Sequence, residues 1–255
     1  HRTGEFDVDV RINSRGFRGT EWAPLSTPSP VVLVLGDSFA FGWGVEEDST
    51  FSALIAEAED GWLVRNAAVS GYGTDQELLL LQDLIHEIQP DVVVCQFWPN
   101  DLYENACDPS YGKRKPHFER KDGRLELIGV PVPQNWLERN SHLWRAILKL
   151  RWEQEHQSRA TDPEAEWRLT LALFDAMKDA LGDAQLLIVS QGSGGDSPLE
   201  AHAAGRVGVH HLDLFDVLGP PGIADFHFAE DGHWTAEGHR KTAEALVPIL
   251  GQLVR

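Results

Sequence analysis

Three short apolar runs mark the chain. Val31-Val32-Leu33-Val34-Leu35 stops at Gly36, Val92-Val93-Val94-Cys95-Gln96-Phe97 stops at Trp98, and Leu186-Leu187-Ile188-Val189 stops at Ser190. None alternates with polar residues, so each predicts a strand buried on both faces, as in a parallel sheet. Trp62-Leu63-Val64-Arg65 and Val209-His210-His211-Leu212-Asp213 are weaker members of the same set. Between the runs the period lengthens to that of a helix. Residues 74–88 carry Leu78, Leu81, Ile85 and Ile88 at helical spacing, and residues 164–181 follow the start signal Asp162-Pro163. A last helix is predicted from a cap at Thr235 through Ala243, Leu246, Val247 and Leu250. Strands alternating with helices predict an α/β domain with helices on both faces of a parallel sheet. Functional groups in such a domain gather beyond the carboxyl ends of the strands.

Residues 102–160 break the alternation. Two polar-apolar stretches, 115–120 and 125–128, flank Lys121-Asp122-Gly123-Arg124, which predicts a hairpin turning at Asp122-Gly123. A helix-like segment, 141–155, follows. This stretch is read as an insertion near the strand ends, either a lid or substrate wall or a surface excursion. The expected organisation is a lead-in segment at 1–30 packing on a domain at 31–255, with the insertion at about 102–160.

Composition narrows the classes of function. The chain has 255 residues, 42% of them hydrophobic and 24% charged, enough for a globular core. The formal net charge is -18, which argues against nucleic acid and anionic membranes as partners. No apolar run approaches the roughly 20 residues of a membrane span, and no signal peptide is visible. The chain opens at His1 and its single methionine is Met177, so its start is read as processed or trimmed, with the compartment left open. Cys95 and Cys107 are too few for a disulfide framework or a zinc site, and the histidines lack ligand spacing. No metal or cofactor is expected. Neither a P-loop nor a Gly-x-Ser-x-Gly elbow occurs.

Four motifs remain, each just after a strand or just before a helix. Gly36-Asp37-Ser38-Phe39 follows the first strand and sets a hydroxyl where backbone N–H groups converge. Gly71 and Gly73 lie in Asn66-Ala67-Ala68-Val69-Ser70-Gly71-Tyr72-Gly73, where backbone can approach a ligand closely. They also begin a dinucleotide fingerprint, but Gln76 stands where its third glycine belongs. Trp98-Pro99-Asn100-Asp101 offers an amide donor at Asn100. Glu230-Asp231-Gly232-His233-Trp234-Thr235 puts an imidazole beside carboxylates. Taken singly, each is an ordinary cap or turn.

Taken together, in this order, they resemble the SGNH (GDSL-like) hydrolases, whose four blocks centre on Ser, Gly, Asn and His, matched here by Ser38, Gly71, Asn100 and His233. The resemblance covers about residues 31–255. Upstream, Arg11-Ile12-Asn13-Ser14-Arg15-Gly16-Phe17-Arg18-Gly19 is similar to a lead-in found in one bacterial subgroup of that family. Two departures stand out. Trp98 occupies the place of a usual glycine, where it would narrow the pocket, stack on substrate or pack. The usual Asp-x-x-His becomes a choice between Asp231, two residues before His233, and Glu230, three before. Asp-x-His followed by Trp234 resembles SGNH-like polysaccharide acetyltransferases. Asp231 is therefore expected as the orienting acid, Glu230 is its reserve, and Asp225 with His227 is a third pair.

The resemblance implies a flavodoxin-like three-layer α/β/α fold with a mainly parallel five-stranded sheet. It implies a serine esterase with Ser38 as nucleophile and His233 as base. The implied oxyanion donors are the N–H groups of Ser38 and Gly71 and the Asn100 amide. Asp37, Phe39, Tyr72 and Trp98 are candidates for the substrate pocket. The implied substrate is a small-molecule or glycan acyl ester, acetyl or otherwise short-chain. The rival readings are an O-acetyltransferase acting on a carbohydrate and a non-catalytic carbohydrate-binding module with Trp43 and Trp98 as stacking platforms. Oligomeric state is not legible in the sequence.

Overall fold

The computed structural model of the chain describes residues 1–25, 29–108, 110–133, 136–158, 162–192 and 197–254. Five strands form one sheet: β1 (Val31–Leu35), β2 (Leu63–Asn66), β3 (Val92–Phe97), β6 (Gln185–Ser190) and β7 (Val209–Asp213). Their order is β2-β1-β3-β6-β7, and every pairing is parallel. This is the doubly wound order in which the chain starts near the middle and winds outward both ways. A two-stranded antiparallel ribbon, β4 (His117–Lys121) with β5 (Arg124–Ile128), stands apart from it.

Sheet and helices meet in two cores. Val31, Leu33 and Leu35 face the helices Thr74–Ile88 and Pro163–Leu181, through residues such as Leu78, Leu81, Leu173 and Phe174. Val32 and Val34 face the helices Phe51–Ala58 and Ala236–Leu253, through Phe51, Ile55, Leu246 and Leu250. Successive strand residues point to opposite faces. Both faces are covered, so β1 and β3 are buried at every position, and their sequences have no reason to alternate.

The local signals act through identifiable bonds. Asp162 accepts from the Ala165 N–H at 3.0 Å with Pro163 in the first turn of its helix, and Thr235 accepts from the Gly238 N–H at 3.2 Å. Asp122 and Gly123 take φ of 51° and 79° in the turn between β4 and β5, the geometry of a two-residue hairpin loop. The helix-like segment 141–155 lies in one helix, His142–Ser158, begun by Ser141, whose hydroxyl accepts from the Trp144 N–H at 3.1 Å, and a short helix, Trp136–Asn140, precedes it.

The first twenty residues bond to several distant segments, Arg15 pairing with Glu87 at the end of the helix Thr74–Ile88. The buried Arg18 guanidinium donates to the carbonyls of Phe41, Gly42 and Val45. The Glu5 carboxylate accepts from the N–H groups of Glu230 and Asp231. Among the described residues, no helix is long and apolar enough to cross a membrane. Neither Cys95 nor Cys107 is in a disulfide.

Candidate active site

Ser38 is the first residue of a four-residue helix, Ser38–Phe41, entered directly from β1. Asp37 caps that helix, its carboxylate accepting from the Phe39 N–H at 2.8 Å. The Ser38 N–H is one of the donors a helix start leaves without an intrahelical partner.

His233 enters from the far end of the chain. Its backbone carbonyl accepts from the Phe228 N–H at 2.9 Å. The next residue, Trp234, is buried at 1% exposure, with its indole N–H donating to Gln191 Oε1 at 2.8 Å. The imidazole is thus held between a buried anchor and a capped helix. Its Nε2 lies 2.7 Å from Ser38 Oγ, and its Nδ1 is bonded to Asp231 Oδ1. The second Asp231 oxygen accepts from the Trp43 indole N–H at 3.3 Å. Glu230 is exposed, and the bonds it makes among the described residues are those of its N–H to Glu5. His227 is buried and bonded to Gln191 and to the Ile223 carbonyl, away from Ser38.

Gly71 has φ of +81°, a left-handed conformation that costs a residue with Cβ about 1–2 kcal/mol. It lines a cavity of about 510 Å³ together with Ser38, Tyr72 and His233. Asn100 lies off that wall. Its side-chain amide donates to Glu104 Oε1 at 2.8 Å, while its Oδ1 is buried without a partner among the described residues. Glu104 is one helical turn further on and is itself pinned by the Tyr103 hydroxyl at 3.2 Å and by Tyr111. The donor that the motif supplies is therefore already oriented by a carboxyl group. The other pocket candidates lie off the wall too: Asp37 is the helix cap, and Phe39 stacks on Trp98 with centroids 3.9 Å apart. The indole at the usual glycine position packs into the second core cluster instead of lining the cavity.

A set of buried carboxyl groups lies behind this rim. Asp37, Glu77, Asp101 and Glu104 are each at most 3% exposed. Burial pushes Asp37 up to about 7 and raises the others, and their mutual repulsion adds to the shift in each case except Glu104. The Cys95 thiol donates to Glu77 at 3.0 Å and is itself pushed up by burial. Among the described residues, no three His, Cys, Asp or Glu side chains are grouped to hold a metal ion.

The far wall of the cavity comes from the insertion. Tyr111, Lys113, Arg114 and Lys115 line the cavity there, and Trp43 lines it too. Tyr111, Lys113, Arg114 and Lys115 belong to none of the four motifs, although Lys113-Arg114-Lys115 is a basic run within an acidic chain.

The profile of the GDSL-like Lipase/Acylhydrolase family matches residues 34–241. Among solved structures, one titled "Crystal Structure of TesA" is 16% identical with a TM-score of 0.54, over 88% of this chain and 99% of that one. A member of the lipolytic protein G-D-S-L family from Veillonella parvula is 12% identical at the same TM-score, over 88% and 100%. The psychrotrophic esterase EstA from Pseudoalteromonas sp. is 13% identical at 0.50, over 88% and 100%. At these identities the likeness is one of fold. No curated protein matches the chain by sequence.

Proposed function

The chain belongs to the GDSL-like lipase/acylhydrolase family, and from that premise we propose that it is a serine-dependent hydrolase of short-chain acyl esters. The observation that carries this reading is the bond of 2.7 Å from His233 Nε2 to Ser38 Oγ, with Asp231 on the other ring nitrogen. That arrangement fixes the tautomer a general base needs.

In the proposed mechanism Ser38 Oγ attacks the ester carbonyl carbon as its proton passes to His233 Nε2. The carbonyl oxygen becomes an oxyanion held by the N–H groups of Ser38 and Gly71 and by the Asn100 amide. Asp231 stabilises the imidazolium. The bond from acyl carbon to alcohol oxygen then breaks, and the imidazolium proton goes to the departing alkoxide. Water repeats the sequence on the acyl-enzyme: His233 takes its proton, the hydroxyl adds to the acyl carbon, and Ser38 leaves with the proton restored. Asn100 takes part in this scheme with its second amide hydrogen, the first being bonded to Glu104.

The test is covalent labelling with a fluorophosphonate, together with hydrolysis of p-nitrophenyl acetate. Parent enzyme is expected to label at residue 38 and to turn the ester over. Ser38→Ala and His233→Ala are expected to lose nearly all activity above background. Turnover by Ser38→Ala at the parent rate would sink the assignment.

A further inference from the structure

We propose that the ester cleaved at Ser38 carries a negative charge on its alcohol part, which Lys113 and Arg114 receive. This inference rests on the esterase reading above and adds the class of substrate.

The observations concern the wall contributed by the insertion. Ser110 and Lys113 exchange two backbone hydrogen bonds, of 2.9 and 2.8 Å, across Tyr111 and Gly112. Both central residues have positive φ, 47° at Tyr111 and 71° at Gly112. A tyrosine in the left-handed region is a strained placement that the surroundings must enforce. They do so here. A Cβ on Gly112 would lie 2.6 Å from the Lys149 Cα, so this turn is seated directly on the helix His142–Ser158. The Tyr111 ring meets Trp152 at 4.9 Å and bonds to Glu104. A ring held in this way covers Gly71, whose hypothetical Cβ would be 3.9 Å from it. The next two residues along the chain, Lys113 and Arg114, line the same cavity as Ser38 and His233.

Charge then decides what the cavity accepts. Among the described residues, three cationic ones line it against one carboxylate, Asp231, which is already engaged by His233 and Trp43. Over the whole chain the balance is reversed, with 40 acidic residues to 22 basic. Lys115 is buried and neutralised by Asp75. Lys113 has no ion pair among the described residues, and Arg114 reaches Asp108 and Glu138 only at 3.6 and 3.8 Å. Lys113 therefore faces the cavity with its charge uncompensated among the described residues, beside an Arg114 held by two long ion pairs. A short acyl group occupies a small part of about 510 Å³, which leaves the stretch along Tyr111, Lys113 and Arg114 for the alcohol. An alcohol bearing a carboxylate fits that stretch: the tyrosine ring flanks its body, and the cations meet its charge.

The test compares 4-acetoxybenzoate with its methyl ester, two acetates with the same phenolic framework that differ in one negative charge. Each kcat/KM is divided by the hydroxide-catalysed rate of that ester. We expect the parent to favour the anion about tenfold at low salt, the worth of one charge-assisted hydrogen bond. The ratio should fall towards one in high salt, in Lys113→Ala and in Arg114→Ala, and should drop below one in Lys113→Glu. A ratio near one in the parent, or a preference indifferent to salt and to these substitutions, overturns the inference. The salt series on the parent serves if a variant fails to fold. Absence of turnover with both esters, with residue 38 unlabelled by fluorophosphonate, defeats the esterase reading itself and this inference with it.

Discussion

The indole N–H of Trp43 donates to Asp231 Oδ2 at 3.3 Å, the oxygen that His233 does not use. Asp231 is thereby fixed from both sides, and the Glu5 carboxylate holds its backbone N–H at 2.8 Å from below. His1 completes the stack, its ring 4.3 Å from that of Trp43.

This relationship makes Trp43 a positioning residue for the proposed catalytic acid. Trp43→Phe keeps the ring and removes the donor. We expect kcat to fall about three- to tenfold with KM little changed, since one hydrogen bond contributes roughly 0.5–1.5 kcal/mol. Asp231→Asn should cost far more, on the order of 10³- to 10⁴-fold, and Glu230→Gln almost nothing. Steady-state kinetics of the three variants would separate the two acidic residues.

Gly71→Ala tests the backbone donor. The added methyl meets nothing closer than the Tyr111 ring at 3.9 Å, so the penalty is conformational: about 1–2 kcal/mol of stability for holding alanine at positive φ. A shift of the N–H away from the oxyanion should lower kcat by at least tenfold, short of the 10²- to 10³-fold cost of losing a donor. Urea unfolding and kcat are read together. Loss of stability at full kcat would remove Gly71 from the proposed oxyanion hole.

Asp37 should make stability fall as pH rises. Burial raises its carboxyl to about 7 from an ordinary 3.8, so the folded state binds the proton more tightly than the unfolded state. The favourable contribution is complete below pH 3.8 and is lost progressively as pH climbs through 7. Asp37→Asn preserves an oxygen to cap Phe39 and removes the titration. Denaturation from pH 5 to 8 should show the parent losing stability relative to the variant by a few kcal/mol, at about 1.4 kcal/mol per pKa unit. Parallel curves would show that Asp37 ionises normally in the folded chain.

Arg18 ties the lead-in to the loop behind the proposed nucleophile. Its guanidinium serves the Phe41 carbonyl at 3.0 Å, the Val45 carbonyl at 2.5 Å and the Gly42 carbonyl, and lies over the Phe41 ring. Arg18→Leu leaves these acceptors unpaired, at about 1–3 kcal/mol for each one that stays buried. We expect a marked fall in the urea midpoint. Arg18→Lys should recover only part of it, because an ammonium lacks the planar fork that spans three carbonyls. A midpoint unchanged in Arg18→Leu would show that water replaces the guanidinium at no cost.

The order of strands and helices was legible in the sequence because its causes are local. β1 and β3 are buried on both faces, and their runs are apolar throughout. Asp162-Pro163 starts a helix by bonds within three residues, and Asp122-Gly123 turns a hairpin through its own dihedral angles. The Ser38, Gly71 and His233 motifs were legible for the same reason. Each sits at the end of an element, and the winding of a parallel sheet delivers such ends to one rim.

Tertiary structure alone decided where side chains near that rim point. Asp231 and Glu230 differ by one position, and the turn that bonds Gly232 back to Phe228 at 3.0 Å leaves Asp231 on the imidazole. Asn100 is drawn to Glu104, while Trp98 and Phe39 pack on each other. The basic wall at Lys113 and Arg114 exists because a strained turn rests on a helix some forty residues further along the chain. Such destinations are fixed by contacts between distant segments, which leave no periodicity in the sequence.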